Sequence, residues 1–170
     1  MSTLILLRGN SGSGKSSVAR ALQQHFGRGT LLIPQDTVRR EMLYARDLPG
    51  GPAAPLMEAI ARWGAQNCPV VIMEGILYSE RYDGLFRALP ELFDVIHAYY
   101  FDVSFEETLR RHETRPQRDW FGPEHMRSWW QEHDLLTVIP EKIIPEASSL
   151  EETVARIIAD VEKGSDQHVR

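Results

Sequence analysis

The eight residues Gly9-Asn10-Ser11-Gly12-Ser13-Gly14-Lys15-Ser16 restrict the fold of this chain more than any other stretch. They satisfy the pattern G-x-x-x-x-G-K-[ST] at every fixed position. Such a loop works only between a strand and a helix. Its glycines let backbone N–H groups converge on phosphate oxygens, and the helix that follows adds the positive end of its dipole. The neighbouring residues supply both elements. Residues 3–8 (TLILLR) read as a buried central strand, and residues 15–26 place Val18, Leu22 and Phe26 at helical spacing. Ordinary residue frequencies would produce the four fixed positions in ~1 of 200 chains of this length, so the flanking context gives the match its weight. A polyphosphate ligand follows. Gly9, Asn10, Ser11, Gly12, Ser13, Gly14, Lys15, Ser16 and Ser17 are its candidate contacts, with Lys15 a point charge on the outer phosphates and the Ser16 hydroxyl a Mg²⁺ ligand.

Beyond the loop, short apolar runs alternate with helical stretches, the pattern of an α/β parallel sheet. Strands are expected at 30–34, 69–73 and 95–101. Helices are expected at 37–46, 53–67, at 82–93 with an interruption at Pro90, and at 123–134. Residues 137–144 read as irregular or as a short fifth strand. Ser104 with Glu107, and Ser149 with Glu152, have the spacing of capping boxes ahead of two more helices, the first running to about Arg115 and the second carrying the stripe Leu150, Val154, Ile157, Ile158 and Val161. Residues 164–170 are polar and expected to fray. The 170 residues suit one domain, and 42 % apolar content supplies a sizeable core. A net charge of -5 with no long basic run argues against nucleic-acid binding. One cysteine, Cys68, excludes an internal disulfide, and no apolar run approaches membrane length. A cytoplasmic protein acting as monomer or homodimer, with neither nucleic acid nor membrane as partner, is the default expectation.

In an open parallel sheet, ligands sit outside the carboxyl ends of the strands, and three acids fall there: Asp36, Glu74 and Asp102. Asp36 can accept the proton of an attacking hydroxyl or hold Mg²⁺ through water; its competing role is to cap the helix that starts at Thr37. Glu74 ends an apolar strand, and Gly75 beside it would admit a ligand closely. Asp102 reads more simply as a strand terminator near the Ser104 cap. Arg110, Arg111, Arg115 and Arg118 follow within nine residues, with Arg111 and Arg115 on one helix face. Guanidinium groups there can bind phosphate bidentately, and the break at Pro116 suits a closing segment, expected at 113–134. Trp120, Phe121, Trp129 and Trp130 either line an acceptor pocket or anchor that segment. His112, His125 and His133 lack metal-ligand spacing.

This set of features resembles the P-loop small-molecule kinases, a group related to nucleoside-monophosphate kinases that includes shikimate kinase, gluconate kinase, chloramphenicol phosphotransferase and zeta-toxin-like kinases. The likeness covers nearly the whole chain in layout, and only the phosphate loop is a highly specific motif. It implies a three-layer α-β-α P-loop NTPase fold with a five-stranded parallel sheet and an arginine-bearing lid. It also implies that Asp36 acts as general base, and that Arg39, within Asp36-Thr37-Val38-Arg39, touches the acceptor with Arg40 beside it. Glu74-Gly75 is similar to a Glu-Gly strand end of the zeta-toxin-like kinases, where the acid lies near the acceptor. Arg111 and Arg115 match lid arginines approximately, and residues 145–150 correspond to the adenine-binding loop. Gln35 departs from the group, many members of which carry a second acid or a small residue there.

The expectation is phosphoryl transfer from ATP·Mg²⁺ to a hydroxyl of a small molecule. Asp36, Lys15, Arg111 and Arg115 would be catalytic; Arg111 would also contact ATP; Asp36, Arg39, Arg40 and Glu74 would face the substrate; Ser16 and Asp36 would hold the metal. The competing expectation is a nucleotide-binding switch or regulatory ATPase. The N-K-x-D guanine motif is absent, and Asp47-Leu48-Pro49-Gly50 matches D-x-x-G only by letters, because no apolar strand precedes it.

Overall fold

The computed structural model describes residues 1–113 and 122–167. Five strands form one parallel sheet: β1 (Thr3–Gly9), β2 (Leu31–Pro34), β3 (Val70–Gly75), β4 (Val95–Asp102) and β5 (Glu141–Pro145). Their order across the sheet is β2-β3-β1-β4-β5, so β1, which carries the phosphate loop, is central. Residues of β1 alternate between the two faces. Leu4 and Leu6 enter a core with Ile33, Met57, Met73 and Phe86, under helices α2 (Ala53–Asn67) and α3 (Asp83–Leu92). Ile5 and Leu7 enter another with Val18, Leu22, Tyr99 and Ile157, under α1 (Lys15–Phe26) and α6 (Leu150–Gln167). The remaining helices are α4 (Phe105–Glu113) and α5 (Pro123–Trp129). The result is a three-layer α/β fold.

Arg8 continues the face of Leu4 and Leu6, and so drives a guanidinium into the α3 side of the core, where it is fully buried. Glu141 at the start of β5 lies 2.9 Å from it, and Asp134 lies 3.0 Å away. Arg8 also donates to the carbonyls of Leu77 and Asp134, and lies over the rings of Phe86 and Tyr100. Removing one partner of such a buried pair typically costs about 3–5 kcal/mol.

Several local expectations change. The helix expected at 37–46 is a π-helix, Thr37–Met42, in which the Leu43 N–H reaches back to the Val38 carbonyl. Pro90 does not interrupt α3, which runs through it to Leu92. Proline removes one hydrogen bond near the helix end, while Leu85, Phe86 and Leu89 remain fully packed. The helix expected at 123–134 stops at Trp129, because the next residues are used to tie the chain to the phosphate loop and to Arg8. The fifth strand is regular, and α6 continues past Gly164 to Gln167 where fraying was expected. Ser149 and Glu152 form a reciprocal capping box. Ser104 caps α4, but Glu107 does not complete the box: Glu146 takes the Ser104 N–H, and Glu107 is held by Arg110 and Arg111. No helix of the described residues is long and apolar enough to cross a membrane.

Candidate active site

The phosphate loop connects the end of β1 to α1. Gly9 and Gly12 both have positive φ, and there a side chain would also collide. A Cβ on Gly9 would come 2.8 Å from the Phe101 carbonyl, and one on Gly12 would come 2.9 Å from that of Thr108. The loop is therefore pressed against the end of β4 and against α4, which fixes its backbone. Lys15 is buried at the start of α1, where its ammonium donates to the Asn10 carbonyl at 2.7 Å and to the Ser13 hydroxyl at 3.1 Å. Asn10 uses its side chain differently from the other loop residues. Its amide pairs in both directions with the backbone of Gln131, at 2.6 and 3.0 Å, and so ties the chain just beyond α5 to the loop.

Glu74 reaches the same place from β3. Its position in that strand gives it the parity of Ile72, which packs against α1, so its carboxylate accepts the Ser16 hydroxyl at 3.0 Å. Burial raises the Glu74 carboxyl above the usual range, and Lys15, Ser16 and Arg20 offset this only partly, while Asp36 adds to it. Glu74 was expected to face the substrate; the structure brings it to Ser16 at the phosphate loop. Gly75 does not open a path for a ligand, since the Gln35 side chain occupies the space, 2.6 Å from where a Cβ would stand.

Arg111 projects from α4. It donates to the Ser13 carbonyl at 3.0 Å and the Glu146 carbonyl at 2.9 Å, and is oriented by Glu107 at 2.7 Å. Hydrogen bonds from Arg110 and Arg111 hold the Glu107 carboxyl down at about 2. Arg111 thus bridges the phosphate loop and the residues after β5. Between them lies a cavity of about 390 Å³ whose walls include Gly14, Ser17, Val18, Pro145 and Leu150, the region where an adenine was expected. Arg115, Arg118, Trp120 and Phe121, with the middle of the expected lid, lie outside the described residues.

On the opposite side of the loop, Asp36 starts the π-helix. Its carboxylate is 65 % exposed and pairs through Oδ1 with Arg39 at 2.9 Å and Arg40 at 3.3 Å. It makes no capping bond, so its orientation comes from the two arginines. The wide π-turn brings Asp36, Arg39 and Arg40 together at the rim of a cavity of about 380 Å³, whose other walls include Ser11, Tyr78, Arg81 and Trp129. Trp130 points elsewhere and meets the edge of Phe105. Asp102 lies 3.3 Å from His133, away from this cavity.

Sequence reasoning missed Arg81, Asp47, Tyr78 and Tyr82. Arg81 pairs with Asp47 at 2.9 Å and lies 4.7 Å over the Tyr78 ring. Tyr82 donates to Asp47 at 2.8 Å and accepts from Gln35 at 2.9 Å. None of these residues belongs to a spaced motif. The one available signal is position, since residues 76–82 follow the carboxyl end of β3.

A five-stranded parallel sheet, a phosphate loop behind its central strand and a cavity on either side define a P-loop kinase-like fold. The chain belongs to the AAA domain family, whose model matches residues 4–132. Among solved structures it is similar to a gluconokinase from Sinorhizobium meliloti 1021, with 19% identity and a TM-score of 0.69, over 98% of this chain and 95% of that one. The Deinococcus radiodurans tunicamycin resistance protein is similar at 18% identity and a TM-score of 0.65, over 95% and 96% of the two chains. The Mycobacterium tuberculosis APS kinase CysC, solved with AMPPNP and APS, aligns at 15% identity and a TM-score of 0.61, over 95% and 98%. At these identities the likeness speaks for the fold. No curated protein matches the sequence.

Proposed function

We propose that this protein is a kinase that transfers the γ-phosphoryl group of ATP to a hydroxyl of a small molecule. The observation that carries this reading is the cavity of about 380 Å³ bounded by both Asp36 and Ser11 of the phosphate loop. A carboxylate and a phosphate site on one small-molecule-sized space are what in-line transfer requires. A switch that only bound and released nucleotide would have no use for it.

The phosphate-loop backbone and Lys15 would hold the β- and γ-phosphates, and Arg111, anchored to the Ser13 carbonyl, would add charge from the other side. Both arginines that orient Asp36 engage Oδ1, which makes Oδ2 the oxygen that takes the acceptor's proton. The acceptor oxygen bonds to the γ-phosphorus as the bond to the β–γ bridging oxygen breaks, and ADP carries away the electron pair. Mg²⁺ fits the residues present, because a buried carboxylate beside a serine hydroxyl suits a hard cation. Ser16 and Glu74 would hold it, with Asp36 within electrostatic reach of Glu74. When bound, it neutralises charge on the phosphates.

The test is an ADP-release assay over a panel of hydroxyl-bearing metabolites, nucleosides, sugars and antibiotics. At least one class is expected to raise ADP release well above the background hydrolysis of ATP. Calorimetric ATP binding without stimulation by any acceptor would transfer the protein to the switch class.

A further inference from the structure

Residues 131–134 run back along the end of β1 and the start of the phosphate loop, and are tied to them twice. Arg8 meets Asp134 at 3.0 Å. Two residues further on, the buried Asn10 side chain pairs with the backbone of Gln131: its Nδ2 donates to the Gln131 carbonyl at 2.6 Å, and its Oδ1 accepts the Gln131 N–H at 3.0 Å. Between these ties His133 stands at φ 47°, a left-handed conformation that persists where the surroundings over-determine it. A side-chain amide that serves both backbone groups of a residue 121 positions away acts as a strand neighbour would. It fixes where that residue lies whatever side chain stands there, and the Gln131 side chain is in fact exposed.

Asn10 is gripped from the other side as well. The Lys15 ammonium donates to its carbonyl at 2.7 Å, and Lys15 is the residue whose charge suits the outer phosphates of a nucleotide. Whatever draws on Lys15, or fixes the loop backbone, therefore bears on Asn10 and through its side chain on Gln131. Two residues before Gln131, the Trp129 carbonyl accepts the Tyr78 hydroxyl at 2.7 Å. Trp129 and Tyr78 are walls of the cavity that Ser11 shares with Asp36. A path of hydrogen bonds and one short stretch of backbone thus joins Lys15 to the far wall of that cavity.

We propose that Asn10 is a positioning residue that carries nucleotide occupancy of the phosphate loop to residues 129–134, and so sets the cavity wall that holds Trp129. A triphosphate draws on the Lys15 ammonium and on the loop N–H groups together. That fixes the backbone from which Asn10 projects, and tightens its pair with Gln131. The proposal needs nucleotide binding but not phosphoryl transfer, so it stands or falls apart from the kinase reading.

The experiment uses the full chain with AMPPNP and Mg²⁺, and follows hydrogen exchange of the Gln131 amide by NMR. Saturating AMPPNP is expected to slow that exchange about tenfold. Asn10→Ala should exchange rapidly at Gln131 with and without AMPPNP, while calorimetry still records AMPPNP binding and the melting temperature shows a folded chain. Asn10→Asp, the variant to read if Asn10→Ala does not fold, keeps the acceptor but loses the donor, and should lose most of the response. Gln131→Ala should respond as the parent does, because the pair uses only its backbone. Fluorine NMR of protein labelled with 5-fluorotryptophan gives a second reading: the Trp129 resonance, assigned with Trp129→Phe, should move with AMPPNP in the parent and stay in place in the Asn10 variant. A parent Gln131 amide whose exchange AMPPNP leaves unchanged would overturn the proposal, and that measurement needs no variant. So would a chain that does not bind AMPPNP, a response that survives in the Asn10 variants, or one that Gln131→Ala abolishes.

Discussion

The two sides of the site are built on different terms. The phosphate-loop side is regular: a central strand, a loop wedged between β4 and α4, and a helix whose first residues, Lys15 and Ser16, are already engaged by the loop and by Glu74. The Asp36 side is irregular: a π-helix, then Tyr44 at positive φ and 96% exposed, then ion pairs at the rim of the cavity. Fixed backbone suits a ligand whose phosphates are always the same. An adjustable rim of side chains suits a ligand that differs between members of one fold, and π-turns are frequent at functional sites.

This contrast can be broken or sharpened by substitution. Lys15→Ala should have the largest effect, reducing turnover about a thousandfold and weakening ATP binding in calorimetry; an unchanged ATP affinity would dissolve the difference between the two sides. Asp36→Asn should cut kcat about a hundredfold or more while ATP binds as before, and retained phosphorylation would take Asp36 out of the base role. Gly12→Ala compared with Gly29→Ala isolates the wedge, since both sites have positive φ but nothing lies within 4 Å of a Cβ at Gly29. Denaturant unfolding should show about 2 kcal/mol lost at Gly12 and about 1 at Gly29; equal losses would mean that contact with Thr108 does not hold the loop.

The smallest effect concerns Glu74. Its carboxyl is raised above 4.5 by burial, so the folded state binds that proton more tightly than the unfolded state does. The stabilising contribution is complete below pH 4.5 and is lost as pH rises through the folded value. Glu74→Gln should therefore stabilise the ligand-free protein by about 1 kcal/mol at pH 7, with the gain shrinking toward pH 4 in thermal melts, while the Mg²⁺ requirement for ATP binding worsens. A variant no more stable than the parent would show that Glu74 is already compensated.

The same contrast explains what could be read in the sequence. The phosphate loop is a contiguous motif whose spacing reflects backbone geometry, and β1, α1 and α2 follow from uninterrupted periodicity. Asp36 and Glu74 could be found because strand ends face ligands in parallel sheets. Arg81 could not, because its position is set by its pairing with Asp47, 34 residues away, which no local pattern records. Pro90 misled through a local rule that tertiary packing of Leu85, Phe86 and Leu89 overrode. The shortening of α5 reflects competition for residues 131–134, which bind Asn10 and Arg8 instead of continuing a helix. An arginine ending an apolar strand was visible at position 8; that it required acids 126 and 133 residues away was not.

That separation has a consequence for synthesis on the ribosome. Until Asp134 and Glu141 have emerged, the central strand ends in a cation with no counter-charge to accompany it into the core. The earlier strands and helices can gather, but the layer around α3 cannot close over Arg8 while it is uncompensated. Nascent chains arrested before residue 134 should therefore remain protease-sensitive, and protection should arrive in one late step once β5 is out.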